Sequence, residues 1–449
     1  MKAIREQDNM IFCYGKKAVN VDTIITKANE MNSQLTKWRR FFHRYAEVGW
    51  TEYITTATIA EILTELGWEV ILGRDILVPD ARLGLPTADA LAEAKERALS
   101  YGVSPRLMKL MDGGYTGLCA TLRGNEEGKT ICLRFDIDAN DLTEATDDDH
   151  RPHREGFASV HDGCMHACGH DGHIAVGLGT AALLAERRND IKGTVMLLFQ
   201  SAEEGVRGAS GISDTLPATV DELYGFHLGF ALTKTGTLGA STTDFLATTK
   251  LDAAFKGAPA HAGARPDGGK NALLAAATAA LQLHALPRRT DGISRINVGT
   301  LHAGEGRNTI PAHAALTAEV RGETTAISRA MTDDAKRVLT ASAMMYDTTV
   351  DITTVGQASS LTCDDVLAKR AYDIARNLGI FSAVHKSVSF GASEDFTVLA
   401  ERVQAHGGQA DYLIVGTELM SGHHTDRFDF DEDALPLATA LFTALILAD

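Results

Sequence analysis

The sequence predicts an α/β chain: a mostly parallel sheet covered by helices, with an inserted α+β unit of ferredoxin-like order. Three observations predict it. Strand-type and helix-type segments alternate from Thr130 to His227, and a further strand lies at Asp411–Gly416. Polar residues follow those strands directly, where open α/β sheets build their sites. Residues 247–357 change to a β-α-β-β-α-β order.

Taken in order, residues 21–68 read as two helices. In the second, Ala57, Ile59, Ile62, Leu63 and Leu66 recur at helical spacing before Gly67. Residues 75–115 hold Pro79, Gly84 and Pro86 and then a helix over Ala88–Leu99, and read as a surface insertion. Thr130–Phe135 is an apolar strand ending in Asp136-Ile137-Asp138, and Ile174–Arg187 is a helix after a Gly/His-rich turn. Gly193–Phe199 is a buried-type strand ending at Gln200, and Leu223–Phe226 is a short strand ending at His227. The insert reads as strands Thr248–Phe255, Arg295–Leu301, Ala314–Val320 and Thr348–Val355, with helices Asn271–Leu286 and Thr325–Met345. This divides the chain into a catalytic domain, 1–246 and 358–449, and an inserted lid or dimerisation domain, 247–357. Asn271–Leu286 offers an Ala-rich face, which by itself reads as an ordinary core-facing helix surface.

A chain of 449 residues is too long for one ordinary core. Apolar content of 45% and charged content of 23% are ordinary for a soluble protein. The net charge of −16 argues against nucleic acid or an anionic membrane as partner. Residues 247–357 carry 12 Lys/Arg against 10 Asp/Glu, so the insert is mildly basic beside an acidic body, a balance that suits an anionic substrate. No apolar run approaches the ~20 residues of a membrane span, and MKAIREQDNMIF lacks a signal-peptide core. Six cysteines in so long a chain make no disulfide framework, and a cytoplasmic location is expected.

The densest chemistry is Met165-His166-Ala167-Cys168-Gly169-His170-Asp171-Gly172-His173. His161, His166, His170 and His173 fall within 13 positions, and spacing alone leaves open which of them ligate. About thirty residues on, Glu203-Glu204 follows a buried strand. Adjacent side chains point in different directions, so one can bind a metal while the other faces the substrate water. His227 and His423-His424, each taken alone, read as structural or surface histidines. Asp136 and Asp138 share a face at a strand end, with Asp138 placed to orient a ligand from behind.

Further segments extend the pattern: MHACGHDGH is joined by SAEEG (201–205), HLG (227–229), GAPAHAG (257–263), GRNTIPA (306–312), GASEDF (391–396) and GHHTDRFDFDE (422–432). Together they resemble the metallo-aminoacylase and carboxypeptidase family, and within it the amidohydrolase branch of hippurate and auxin-conjugate hydrolases. WRRFFHRYAEVGWTE (38–52), the 75–115 segment and DDDHRPHREGFAS (147–159) resemble the subgroup acting on p-aminobenzoyl-glutamate. The resemblance implies that Cys168, His170, Glu204, His227 and His424 hold two divalent ions, Mn2+ or Zn2+. It implies Glu203 as general base and then acid, with Asp138 behind the ligands. His424 is preferred to His423 because the family's ligand shortly precedes an aromatic-Asp pair, here Phe428-Asp429. His261, from a neighbouring protomer, would steady the oxyanion. Asn308 and Arg321 would grip a substrate carboxylate, and the Gly391–Glu394 turn would line the pocket. Ser201 replaces the family's Pro, which should loosen that turn slightly. The implied reaction is hydrolysis of N-acyl or N-aroyl amino acids such as p-aminobenzoyl-glutamate, with indole-acetyl-aspartate as the alternative. A homodimer through the lid is implied, and so is a homologous partner chain. A non-catalytic subunit supporting an active partner is the reading from another class.

Overall fold

The structure, a computed structural model, describes residues 4–6, 9–14 and 17–448, with side chains from Val21 onward. The readings made on the first twelve residues and on the Cys13 thiol lie outside the described side chains. The body is an eight-stranded mixed sheet. Its order is Ala383–His385, Thr237–Gly239, Gln409–Val415, Glu222–Leu228, Glu126–Asp136, Lys192–Gln200, Leu118–Arg123, Glu69–Leu72. The four central strands, from Gln409–Val415 to Lys192–Gln200, run parallel. Leu118–Arg123 and Glu69–Leu72 join antiparallel at one edge, and Thr237–Gly239 lies antiparallel to Gln409–Val415 at the other. The edge strands are short, and their weak patterns had not marked them as strands.

Side-chain alternation explains the continuous apolar strands. Leu133, Phe135, Leu197 and Phe199 pack into one core, while Cys132, Leu198, Leu223 and Tyr412 pack into a second core on the opposite face. The first core is covered by helices Val21–Glu30, Asn32–Arg44, His170–Glu186 and Ala434–Leu447. His170–Glu186 is buried almost all round. A Cβ at Gly177 would lie 2.8 Å from the Phe199 ring and 3.0 Å from Phe135. Glycine costs about 1 kcal/mol of helix propensity there, and in return the helix settles directly on the sheet.

Two expectations are corrected. Residues 21–68 form three helices, because the chain turns at Met31 between Val21–Glu30 and Asn32–Arg44, and Tyr53–Glu65 follows. The 75–115 segment is not merely a surface insertion. Helices Ala88–Ser100 and Pro105–Met111 bury Ala94, Ala98, Met108 and Met111 in the first core, and Ile76, Leu77 and Tyr115 join the second.

The inserted unit is a four-stranded antiparallel sheet in the order Ser294–Ala303, His313–Gly322, Ala247–Lys256, Thr349–Ala358. Helices Ala272–Ala285 and Thr325–Met344 cover one face, each opened by a side-chain cap. Asn271 accepts the Leu274 N–H at 3.1 Å, and Thr324 accepts the Ile327 N–H at 3.2 Å. Leu251, Ala253 and Phe255 point into the helices with Leu316, Ala318 and Val320. The alternation leaves Lys250, Asp252, Glu319 and Arg321 on the other face.

A buried ionic network ties the N-terminal helices to the C-terminal segment. Arg39, fully buried, donates to Asp171 at 2.7 Å, Asp429 at 2.9 Å and Glu432 at 3.2 Å. Replacing Arg39 by Met should cost about 3–5 kcal/mol, because it removes the buried cation that three carboxylates share. A denaturation midpoint unchanged from wild type would refute that. Beside it, His43 bridges Asp171 and Glu144, both at 2.9 Å. Burial alone would lower the His43 pKa, but the bonds to Asp171 and Glu144 outweigh it and raise it from 6.5 to about 9. A raised histidine stabilises the fold fully below about 6.5, and that stability is lost as pH rises through about 9. The melting temperature should therefore fall between pH 7 and 10, and His43→Gln should flatten the decline.

Candidate active site

Asp138, Glu203, Glu204 and His227 sit at the carboxyl ends of central strands or just after them, Cys168 and His170 stand at the head of the helix His170–Glu186, and His424 lies in the loop after Gln409–Val415. The strand Lys192–Gln200 runs into Ser201–Arg207, where Ala202 and Val206 hold left-handed φ values of 56° and 57°. Non-glycine residues are strained in that conformation, and three carboxylate bonds hold the turn in place. Asp138 accepts the N–H groups of Glu203 and Glu204 on its two oxygens, both at 2.9 Å. Glu52 accepts the Ala202 N–H at 2.8 Å. Burial, then the nearby Asp138, pushes the Glu52 carboxyl up to about 8. Ser201 donates to Thr116 O at 2.9 Å, which anchors the turn where proline was expected. The turn is also bonded to the insert: Gln357 N–H donates to Val206 O at 2.8 Å, and Gly356 lies against Gly205.

The imidazoles are oriented by backbone carbonyls. His170 Nδ1 donates to Asp138 O at 2.9 Å, and His227 Nδ1 donates to Leu228 O at 2.8 Å. A carbonyl only accepts, so each Nε2 keeps a lone pair with which to bind a cation. His227 Nε2 lies 3.3 Å from Cys168 Sγ. His424, at φ 59°, is pinned by its N–H donating to Ala167 O, and its Nε2 is 3.2 Å from Glu204 Oε1. Two triads result, Cys168–His170–His227 and Cys168–Glu204–His424, each with its donor atoms within 4.8 Å of one another. Cys168 belongs to both. His170 Nε2 is buried without a hydrogen-bond partner, as a lone pair reserved for a cation would be. Sulfur, imidazole and carboxylate suit a borderline-soft divalent ion.

Glu203 faces the same space. It is buried beside Glu394 and Asp395, with the three carboxylates within 4.8 Å. Burial, then the Glu394 charge, holds Glu203 well above the usual carboxylate range. Arg134 lies beneath, donating to Asp136 at 2.6 Å and Asp395 at 2.9 Å, and standing 3.1 Å from Glu394. Tyr412 donates its hydroxyl to Glu394 at 2.7 Å.

The other clustered histidines go elsewhere. His161 bonds Ala46 O at 2.6 Å. His166 is fully buried with neither ring nitrogen bonded, and burial lowers it to about 3. His173 is held between the Asp136 carboxylate and the Leu228 N–H. His423 lines the cavity, but its Nε2 faces Leu228 O at 3.3 Å.

The cavity in front of the triads measures about 340 Å³, and its far wall is the inserted sheet, through Thr248, Lys250 and Arg321. Arg321 forks onto Glu319 at 2.6 and 3.2 Å and turns Nη1 toward Ser393, 3.5 Å away. Ala392, Ser393 and Glu394 line the cavity, with Gly391 at φ 67° just behind. Asn308 and His261 do not meet Arg321 within one chain. Both are exposed and lie together, with Asn308 O accepting the Ala262 N–H at 2.9 Å, and neither lines the cavity of its own chain. The reason is register: Arg321 ends the strand His313–Gly322, while Asn308 precedes its start. A second hollow of about 450 Å³ adjoins, walled by Gly84 and Leu85 from the 75–115 segment, and shares Glu204, Gly205 and Lys250 with the first. Arg207 ties this wall down by donating to Glu204 O at 2.7 Å and Gly84 O at 3.2 Å.

Glu52 and Arg134 escaped the sequence reading. Arg134 carried a signal, since it interrupts an apolar strand two residues before Asp136. Glu52 had none, because its partners lie 64 and 150 positions away.

Parallel strands whose ends gather sulfur, imidazole and carboxylate donors around a spare buried carboxylate define a metal-dependent amidohydrolase. Residues 132–448 match the peptidase family M20/M25/M40, and the chain belongs to that family. It is 44% identical over 416 residues to indole-3-acetyl-aspartic acid hydrolase of Enterobacter agglomerans, covering 92% of this chain and 95% of that protein. It is 42% identical over 412 residues to one of the named subunits of p-aminobenzoyl-glutamate hydrolase of Escherichia coli K12, covering 91% and 94%. The fold resembles the crystal structure of an aminobenzoyl-glutamate utilization protein from Klebsiella pneumoniae, with TM-score 0.82, 35% identity and coverage of 95% and 98%.

Proposed function

We propose that the protein hydrolyses the amide bond of N-aroyl or N-acyl amino acids with a free carboxylate, foremost p-aminobenzoyl-glutamate, giving p-aminobenzoate and glutamate. The observation that carries this is Glu203, a buried carboxylate with no place in the sulfur-sharing triads, set beside both of them. Cys168, His170, Glu204, His227 and His424 would hold two divalent ions, Mn2+ or Zn2+. Bound there, the ions would acidify a water and polarise the scissile carbonyl. Glu203 takes the proton from the attacking water and delivers it to the departing amine. Its raised pKa suits it to the second step as well as the first. Asp138 holds Glu203 and Glu204 in register. Arg321 takes the α-carboxylate.

His261 and Asn308 are assigned to the cavity of a neighbouring copy, supported by their exposure and their distance from their own site. In this reading residues 1–246 and 358–449 are the catalytic domain, and 247–357 form a lid through which a homodimer assembles. The Escherichia coli relative is named as one subunit of its hydrolase, which adds a homologous partner chain as a second assembly. The five described cysteines are free thiols, in keeping with a reducing cytoplasm. No helix among the described residues is long and apolar enough to cross a membrane.

Indole-acetyl-aspartate is the second substrate reading, favoured by the 44% identity to an enzyme named for it. Assaying the purified chain with each metal against both compounds tests the proposal. Release of p-aminobenzoate by this chain alone is the expected result. Inertness alone, with activity restored by a partner chain, would favour a supporting, non-catalytic role.

A further inference from the structure

We propose that Lys250 is the specificity determinant that reads the side-chain carboxylate of an acidic amino acid in the substrate, leaving the α-carboxylate to Arg321. This rests on the hydrolase reading above and deepens it. Lys250 stands in the strand Ala247–Lys256, on the face turned away from the insert's own helices. It lines both the cavity of the metal-type triads and the adjoining hollow. Directly across the ladder is Glu319, the natural partner for a lysine. That carboxylate is instead forked by Arg321 at 2.6 and 3.2 Å. Among the described residues no carboxylate pairs with Lys250, although it is half buried. A partly desolvated ammonium facing a ligand cavity, with the carboxylate across the ladder taken by another cation, is placed to meet an anion from outside.

The geometry divides the work. Arg321 is clamped and offers one edge in one direction, as a fixed carboxylate present in every α-amino acid requires. Lys250 is a point charge on a flexible stem with three rotatable donors, so it can follow a carboxylate at the end of either one or two methylenes. Two relatives are named for conjugates of glutamate and of aspartate, which differ by that methylene and share the second carboxylate. The adjoining hollow carries Asp141 and Asp252 against Arg207, whose bonds go to backbone carbonyls. An anionic side chain therefore finds its free cation at the border of the inner cavity, at Lys250.

The test compares kcat/KM of the metal-loaded enzyme and of Lys250→Met on matched pairs: p-aminobenzoyl-glutamate with p-aminobenzoyl-glutamine, and indole-acetyl-aspartate with indole-acetyl-asparagine. Wild type should prefer the acid of each pair, and the variant should lose about 10–100-fold of that preference, the scale of a hydrogen bond to a charged group. Lys250→Arg should keep part of it. A thermal melt confirms that both variants fold. An acid-to-amide ratio unchanged in Lys250→Met overturns the proposal while leaving the hydrolase reading intact. A wild-type enzyme inert toward all four compounds with either metal overturns the hydrolase reading itself.

Discussion

Glu203→Gln is expected to lower kcat by about 10²–10⁴-fold, the usual contribution of a positioned proton carrier. The change keeps shape and removes only the ability to take a proton. Glu203 shares donor distance with His170 and Glu204, but the two Cys168 triads are complete without it. Metal content after dialysis should therefore match wild type. The peptide N–H of Glu203 still reaches Asp138, so the turn should stay in place. A variant that retains its metals and rates within a few-fold of wild type would remove Glu203 from the mechanism.

Cys168→Ala should have the other large effect, for the opposite reason. Its sulfur is the one donor atom common to both triads, so deleting it weakens both sites at once. The loss of metal affinity should exceed the ~10–100-fold typical of groups that merely orient a ligand. Turnover should disappear with the metal. Cys168→Asp supplies an oxygen donor that zinc and manganese accept and should recover part of both. Elemental analysis beside activity separates the cases. Full occupancy in Cys168→Ala would show that the sulfur is not a ligand.

Much of this arrangement was legible in the sequence because its signals are local. Cys168 and His170 flank one glycine at the head of a helix, and Glu203 and Glu204 are neighbours that follow a strand whose apolar run is plain. The inserted βαββαβ order was readable for the same reason, from its alternation of strand-type and helix-type segments. What the sequence concealed is the long-range polar framework. The Arg39 ties to Asp429 and Glu432 span about 390 positions, and no periodicity encodes such a pairing. Histidine density was ambiguous too. His170 and His173 share a helical turn, yet one gathers with Cys168 and His227 and the other is bonded to Asp136, a choice made by the sheet packed beneath them. The 75–115 segment looked peripheral because its proline and glycine breaks hide the apolar residues, Met108 and Met111 among them, that fasten it to the core.

The peptide link from Gln357 to Val206 has a mechanical consequence. The final strand of the inserted sheet is stitched to the very loop that carries Glu203, the proposed proton carrier. A swing of that sheet would tug on the loop as a door tugs on its latch. Capturing the ligand and cocking the catalytic group would then be one movement, and the enzyme would be armed only with its door shut.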